Sequence, residues 1–554
     1  MIQKIRVVLV AAGALVLMVA RAQSPQWAEP PRLVVGIVVD QMRTDYLYRY
    51  WDNFGEGGFK RMVAEGSFQR DAHYDHVPTI TGAGHAGIYT GTTPARHGIV
   101  ANDMYVRSTK STIYCVEDRN VKGVGCEGPI GQRSPLNLLA TTLADELERR
   151  TDGRSKTIGI ALKDRSAILP MGRTGDAAFW FAAGTDGAFA SSTWYFDSLP
   201  QWVTDFNGER LAASYLGRTW EPLLALDRYH APLPDDNPYE VPLPGATSPT
   251  LPQDLQALFK ASGNTSLIRY TPWGNTLTTD LALAALVGED LGTDAVPDLL
   301  AISYSSPDEL AHRVGPRALE IEDMYVRLDQ EIARLFAELD RRMGKGKYTV
   351  FLTADHGGAD VSAYLADLKG SAGYSDNAKL ESELEAALTK LLGPGKWVRR
   401  VMNDQVFLND SLIAVRKLEP QQVQRFVADR LLGDPTIAEA LTATDLVREG
   451  HAEGMRRSLS RGFMPSRSGD VLYSYRPGIA EPYSLSIPNK GTEHSTGWNY
   501  DTHVPVLFMG RGVVKGEVVR RTSVTDLAPT VSMILGMTMP DASDGQVVPE
   551  VVAR

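Results

Sequence analysis

The sequence predicts an α/β fold built on a large, mostly parallel central sheet with helices on both faces, and three observations carry that expectation. First, four apolar runs of strand length recur, at Leu33–Val39, Thr157–Leu162, Asp298–Ser303 and Tyr348–Thr353. They are continuous rather than alternating, the pattern of strands buried on both faces. Second, helical stretches lie between them. One is expected over Asn137–Arg149. Another, over Glu320–Met343, places Met324, Leu328, Ile332, Leu335 and Leu339 on one stripe. Strands alternating with helices are the mark of a parallel sheet covered on both sides. Third, polar residues gather where the apolar runs end: Asp40 after the first, Lys163 after the second, Asp308 just beyond the third, and Asp355-His356 after the fourth. Open α/β sheets bind ligands outside the carboxyl ends of their strands.

The chain has 554 residues, with 43% hydrophobic and 22% charged. That length holds one large α/β core with insertions, and the sequence contains no solenoid or propeller repeat. Two long segments interrupt the strand–helix alternation. Residues 176–275 are rich in Trp, Pro and Gly with little period, and residues 362–483 carry helices and strands of their own, such as Pro420–Leu432 and Asp404–Leu408. Both read as insertions that cap or buttress the site, within a catalytic unit spanning 23–554.

Residues 1–22 have the three parts of a secretory signal: Lys4 and Arg6, an apolar run of 14 residues from Val7 to Ala20, and Ala20-Arg21-Ala22. A spanning helix needs about 20 apolar residues, so cleavage near Ala22 is expected over a retained anchor, with no membrane span afterwards and a secreted or periplasmic location. Loss of Lys4, Arg6 and Arg21 takes the net charge from −10 to −13. Such an acidic chain is not built to bind nucleic acid. No feature of the sequence calls for an oligomer, and a monomer is expected. Only two cysteines occur, Cys115 and Cys126. In an oxidising compartment they are expected to close a short loop, worth roughly 3 kcal/mol in the chain-entropy model, rather than remain unrelated thiols.

Candidate metal ligands come in pieces that are weak singly. Asp308 and His312 stand four apart and share a helical face. Asp355 and His356 are adjacent, Asp40 ends a strand, and His494 lies in Gly-Thr-Glu-His-Ser-Thr-Gly. Together they offer three carboxylates and three imidazoles, a donor set suited to two zinc ions in open N/O sites, whereas magnesium or calcium favours oxygen alone. Upstream, Pro78-Thr-Ile-Thr-Gly-Ala-Gly-His85 places a threonine where a helix begins. A hydroxyl there sits among anion-binding N–H groups, and metal coordination activates it as a nucleophile. The plain alternative for Thr81 is a helix cap.

The order Asp40, Thr81, Asp308-x-x-x-His312, Asp355-His356, His494 resembles the alkaline phosphatase superfamily. Thr81-x-x-x-His85, Thr90-Gly91 and Pro94-x-x-His97-Gly98 followed by Asn102 resemble its type I phosphodiesterase/nucleotide pyrophosphatase group, from about Arg32 to Met537. The resemblance implies one zinc among Asp40, Thr81, Asp355 and His356 and a second held by Asp308, His312 and His494. It also implies Thr81 as the residue that takes up the phosphoryl group, with Asn102 on a non-bridging oxygen. Thr79 is the competing nucleophile. Thr81 is preferred because the family's nucleophile precedes the x-x-x-His element. His73, His76, His97 and His503 are read as structural or supporting.

Lys163 and Arg165, two apart at a strand end, suit a phosphate monoester, which carries two charges and exposes three equatorial oxygens. The alternative is a surface basic pair. Lys-x-Arg here, with Gly175-Asp-Ala-Ala-Phe-Trp180 downstream, resembles the threonine-nucleophile bacterial alkaline phosphatases. The expected activity is therefore hydrolysis of small phosphate monoesters through a phosphothreonine. The rival is a nucleotide pyrophosphatase or phosphodiesterase using the same two-metal site. Sulfatase and phosphomutase activities fit less well with Thr81, and a protein that only sequesters zinc fits less well with the complete threonine motif.

Overall fold

The computed structural model describes residues 29–184, 186–482 and 489–553. The signal-like segment 1–22 lies outside them. Among the described residues, ten strands form the central sheet: β1 (Leu33–Val39), β2 (Ser67–Gln69), β3 (Gly123–Val124), β4 (Thr157–Ala161), β5 (Ala177–Ala182), β6 (Ala188–Ser192), β7 (Asp298–Tyr304), β8 (Thr349–Thr353), β9 (Val506–Gly510) and β10 (Gly516–Val518). Their spatial order is β10-β2-β9-β8-β1-β7-β4-β5-β6-β3. The middle of the sheet, β8-β1-β7-β4-β5, is parallel throughout. The flanks are mixed: β9 runs antiparallel to β8 and β2, and β6 antiparallel to β5 and β3.

Every residue of β1 is buried, as its continuous apolar run requires. Helices α1 (Thr81–Thr90), α2 (Asp164–Ile168), α3 (Ser306–Val314) and α4 (Leu319–Met343) place the site and cover the sheet. The α4 stripe of Met324, Leu328, Ile332, Leu335 and Leu339 is wholly buried in the main core. The helix expected over 137–149 starts later, at Leu143. Thr142 accepts from the Asp145 N–H while the Asp145 carboxylate accepts from the Thr142 N–H. This capping box fixes the helix start regardless of the apolar residues before it.

The range 176–275 is not wholly peripheral. Its first part supplies β5 and β6, and only then does it leave the sheet for short helices such as Gln201–Gly208 and Leu255–Ser262. Residues 362–482 form a second layer. Four strands pair in the order Val398–Met402, Gln405–Leu408, Val471–Tyr475, Ile437–Thr442. Helices Asn377–Leu392 and Pro420–Leu432 pack on them over a separate core that includes Leu388, Trp397, Val427 and Tyr473.

The expected bridge between Cys115 and Cys126 is corrected: both thiols are free. Cys115 turns inward beneath α1, where a Cβ added at Gly82 would lie 3.3 Å from its Sγ. Cys126 packs instead against Gly123 and Gly131, beside β3. Burial pushes the Cys115 thiol up to about 12, so it is a poor thiolate as well as a distant one.

Helix α1 can approach the end of β8 because Gly84 has no side chain. A Cβ there would sit 2.1 Å from the Asp355 carbonyl oxygen. Gly84→Ala should therefore lower unfolding stability by about 1–3 kcal/mol, read from denaturant midpoints. An unchanged midpoint would mean that α1 is not clamped to Asp355.

Candidate metal and phosphate site

Four neighbouring parallel strands bring the site together. Read along the sheet as β8-β1-β7-β4, their carboxyl ends present Asp355-His356, Asp40, Asp308-His312 on α3, and Lys163-Arg165 at the start of α2. Thr81 arrives on α1, and His494 comes from the segment that follows the cap. All the residues expected at the site converge. Thr81, Asn102, Arg165, Asp308, His312 and His494 line one cavity of about 230 Å³, while Asp40, Lys163, Asp355 and His356 are buried.

Two donor groups form. In the first, the His356 Nε2 lies 3.5 Å from Asp40 Oδ1 and 3.5 Å from Asp355 Oδ2. In the second, Asp308 Oδ1 lies 3.2 Å from His312 Nε2 and 3.6 Å from His494 Nε2. Each imidazole donates its Nδ1–H to a main-chain carbonyl: His356 to Gly357 at 2.9 Å, His312 to Thr492 at 2.9 Å and His494 to Thr79 at 2.7 Å. Those bonds fix the tautomer and turn three Nε2 lone pairs into the site, the arrangement metal-ligating histidines use.

Asp40 Oδ1, Asp355 Oδ2 and His356 Nε2 are fully buried and none has a hydrogen-bond partner within the protein. Buried polar atoms are ordinarily satisfied, so three orphans aimed at one point fit a cation. Burial, followed by the Asp308 and Asp355 charges, pushes the Asp40 carboxyl well above its usual range. This is the electrostatic signature of carboxylates gathered for a positive charge. The mixed carboxylate and imidazole donors suit a borderline divalent ion.

Lys163 is not a surface residue. Its ammonium lies 2.6 Å from Asp40 Oδ2 and also bonds Asp308 Oδ2, bridging the two donor groups. Arg165 is partly buried, lines the cavity, and donates from Nη2 to Thr81 Oγ1 at 3.2 Å and from Nη1 to the Tyr114 hydroxyl at 3.0 Å. The chain here is not the extended strand end the sequence pattern implied. Lys163 is extended and α2 begins after it, yet both cations reach the same cleft.

Thr81 is the first helical residue. The cap position is Ile80, and no side chain caps the helix. Thr81 is thus not a helix cap, and its hydroxyl stands at the positive end of α1. The Gly82 N–H donates to Asn102 Oδ1 at 2.8 Å, which leaves the Asn102 amide group to face the cavity. The Thr79 hydroxyl is committed elsewhere, donating to the Thr496 carbonyl at 2.8 Å.

Several supporting residues escaped sequence reasoning. Gln41 adopts a left-handed conformation at φ +62°. Its N–H donates to Asp355 Oδ1 at 3.1 Å and its side chain to Asp308 Oδ1 at 2.8 Å. A non-glycine residue held at positive φ beside a site is a common form of stored strain. Its one sequence signal is its place after a strand-end aspartate. Tyr114, Asp164 and Arg133 hold Arg165 in a chain. The Tyr114 hydroxyl donates to Asp164 Oδ1 at 2.5 Å, and Arg133 Nε to Asp164 Oδ2 at 2.6 Å. Nothing in local pattern marks these contacts.

His73, His76, His97 and His503 belong to neither donor group, whereas His85 Nδ1 lies 3.4 Å from Asp355 Oδ2. His73 sits between the Asp71 carboxylate at 2.7 Å and the Thr502 hydroxyl at 3.2 Å, stacked on His503. His76 is fully buried and neither ring nitrogen has a protein partner.

Residues 34–472 match the family described as type I phosphodiesterase / nucleotide pyrophosphatase. A protein of Myroides odoratus named calcium-transporting ATPase is 40% identical over 95% of this chain and 95% of its own length. The alkaline phosphatase PafA of Elizabethkingia meningoseptica is 39% identical over 96% of each chain. The alkaline phosphatase PhoV of Synechococcus elongatus is 38% identical over 95% of this chain and 94% of that one. The crystal structure of wild-type PafA superposes with a TM-score of 0.90 at 39% identity, covering 95% of this chain and 99% of that chain. The chain belongs to the type I phosphodiesterase/nucleotide pyrophosphatase family within the alkaline phosphatase superfamily.

Burial, with the Arg461 charge, depresses His76 to about 3. The folded-state value lies below the unfolded one, near 6.5, so the unfolded chain binds more protons between them. Stability is full above pH 6.5 and falls as pH drops toward 3. Thermal unfolding from pH 7 to pH 4.5 should fall more steeply for the native protein than for His76→Asn. Parallel curves would mean that His76 does not titrate between the states.

Proposed function

We propose that this protein is a metal-dependent alkaline phosphatase that hydrolyses phosphate monoesters by way of a phosphorylated Thr81. The observation that carries the reading is the position of the Thr81 hydroxyl. It stands at the N-terminus of α1, hydrogen-bonded to Arg165, in a cavity that also holds Asn102 and the Asp308, His312, His494 group.

The donor sets fit two zinc ions, one held by Asp40, Asp355 and His356 beside Thr81 and one by Asp308, His312 and His494. When bound, two such ions would lower the pKa of the threonine hydroxyl and neutralise charge on the departing oxygen. The residues do the rest. Arg165 and Asn102, with the N–H groups at the start of α1, hold the non-bridging oxygens, so that phosphorus lies in line with Thr81 Oγ1. The Thr81 oxygen–phosphorus bond forms as the ester bond breaks, and the alcohol leaves with a proton. Water then attacks phosphorus from the vacated side, releasing inorganic phosphate and restoring the hydroxyl. Gln41 keeps the two carboxylates it bonds in register through both steps.

Lys163 and Arg165 favour the monoester over the diester. Lys163 is buried and Arg165 partly buried in the cleft, and a second substituent on phosphorus would compete with them for one face of the group. A solved PafA variant is altered at a threonine and an asparagine 21 positions apart and at a lysine and an arginine two apart. The spacings of Thr81 to Asn102 and of Lys163 to Arg165 are the same. The ATPase and phosphatase names carried by the relatives share one chemistry, transfer of a phosphoryl group to water. Among the described residues no helix is long and apolar enough to cross a membrane. The basic, apolar, small-residue order of residues 1–22 supports export to the periplasm or beyond.

Thr81→Ala should lower turnover by about 10³-fold or more while the zinc content of the purified protein, measured by mass spectrometry, stays at the native level. Full activity would remove Thr81 from the chemistry. Lys163→Ala should cost at least about 10²-fold in kcat/KM on an aryl phosphate monoester and less than about tenfold on the matching diester. An equal loss on both would favour the phosphodiesterase reading.

A further inference from the structure

The cavity that holds Thr81 is completed by residues of the cap, and that part of its wall is acidic. Besides Asp308 it is lined by Asp404, Glu481, Glu493 and Asp501, against Arg165 as the one lysine or arginine among the lining residues. Two of the acids are taken up structurally. Asp501 Oδ2 accepts from the Ser495 N–H at 3.3 Å, the Thr496 N–H at 2.8 Å and the Thr496 hydroxyl at 2.6 Å. Glu493 lies 3.4 Å from His312 Nδ1.

Asp404 and Glu481 differ. Asp404 Oδ2 accepts from the Ser495 hydroxyl at 3.0 Å, and Glu481 Oε1 accepts from the Asn377 amide. Both donors are neutral, and among the described residues neither acid has a lysine, arginine or histidine within ion-pair distance. Asp404 is held at φ +56° beside Asn403 at φ +52°, so two successive left-handed residues make the hairpin turn between Val398–Met402 and Gln405–Leu408, and both line the cavity. Burial, then Glu481, raises the Asp404 carboxyl, and burial raises Glu481. A cation brought between such acids relieves the cost of ionising them.

We propose that Asp404 and Glu481 form a leaving-group subsite that selects phosphate monoesters whose alcohol carries an ammonium group, over esters whose alcohol carries a carboxylate or another phosphate. This inference rests on the phosphomonoesterase reading. The phosphoryl end stays with Thr81, Asn102 and Arg165, and the two cap acids face the group that departs. An anionic leaving group meets like charge in a partly desolvated wall, where few waters screen it.

The test uses two esters of equal size and opposite leaving-group charge, 2-aminoethyl phosphate and carboxymethyl phosphate, with the zinc-loaded full-length enzyme at pH 8 and low salt. The ratio of their kcat/KM values should favour the amine by at least about tenfold and shrink as salt rises. The Asp404→Asn, Glu481→Gln double variant should bring the ratio down about tenfold, and Glu481→Asp should keep part of it. Reading the ratio cancels any general loss of activity. Calorimetric binding of 2-aminoethylphosphonate against 2-carboxyethylphosphonate gives the same comparison without turnover. Ammonium preference in binding with no hydrolysis of any ester would sink the phosphatase reading and leave this one standing. A ratio near one, or one unmoved by the double variant in both kinetics and binding, would overturn it.

Discussion

Three carboxylates buried within one cleft set the terms for the rest of the structure. Asp40, Asp308 and Asp355 end or follow neighbouring strands and are almost without solvent. Like charges in a low-dielectric setting repel strongly, and Lys163, placed between two of them, supplies one positive charge. Many features described above answer that repulsion. Gln41 takes a strained backbone to donate to two of the three acids. Three histidines give their Nδ1 protons to carbonyls and so turn lone pairs inward. The N-terminus of α1 points its positive end at the same place.

This arrangement accounts for how the fold serves the site. The parallel middle of the sheet sends five strands in one direction, and the polar ends of four of them meet along one edge. The antiparallel flanks and the helices seal the apolar runs behind them. Gly84 lets α1 lie against Asp355, which brings the Thr81 hydroxyl within reach of Arg165. Arg165 is in turn fixed through Tyr114, Asp164 and Arg133, so the hydroxyl stands at the end of a chain of charge and hydrogen bonds rather than on a mobile loop.

How much of this was legible in the sequence depended on the range of the interaction concerned. The central strands and α4 were readable because their periodicity is local. Asp308-x-x-x-His312 was readable as a pair on one face because a helix fixes that geometry. The convergence of Asp40, Asp355 and His494 could be inferred only from motif order, since nothing local joins positions so far apart. Gln41 and Tyr114 left no pattern, because their roles come from tertiary contacts. The cysteine expectation failed for a related reason. Closeness along the chain and an oxidising compartment favour a bridge, but Cys115 is drawn under α1 and Cys126 toward β3. The range 176–275 misled because β5 and β6 border on irregular chain, which hides their period.

His494 follows the whole cap and stands 454 positions beyond Asp40. No shorter fragment contains a complete pair of donor groups. During synthesis from the N-terminus, the first strand with its terminal Asp40 and the threonine helix must wait for their partners until almost all of the chain has emerged. A polypeptide threaded unfolded across a membrane would therefore travel without its metals. Capture of ions by both groups would then follow the folding of the whole sheet rather than accompany the folding of any part of it.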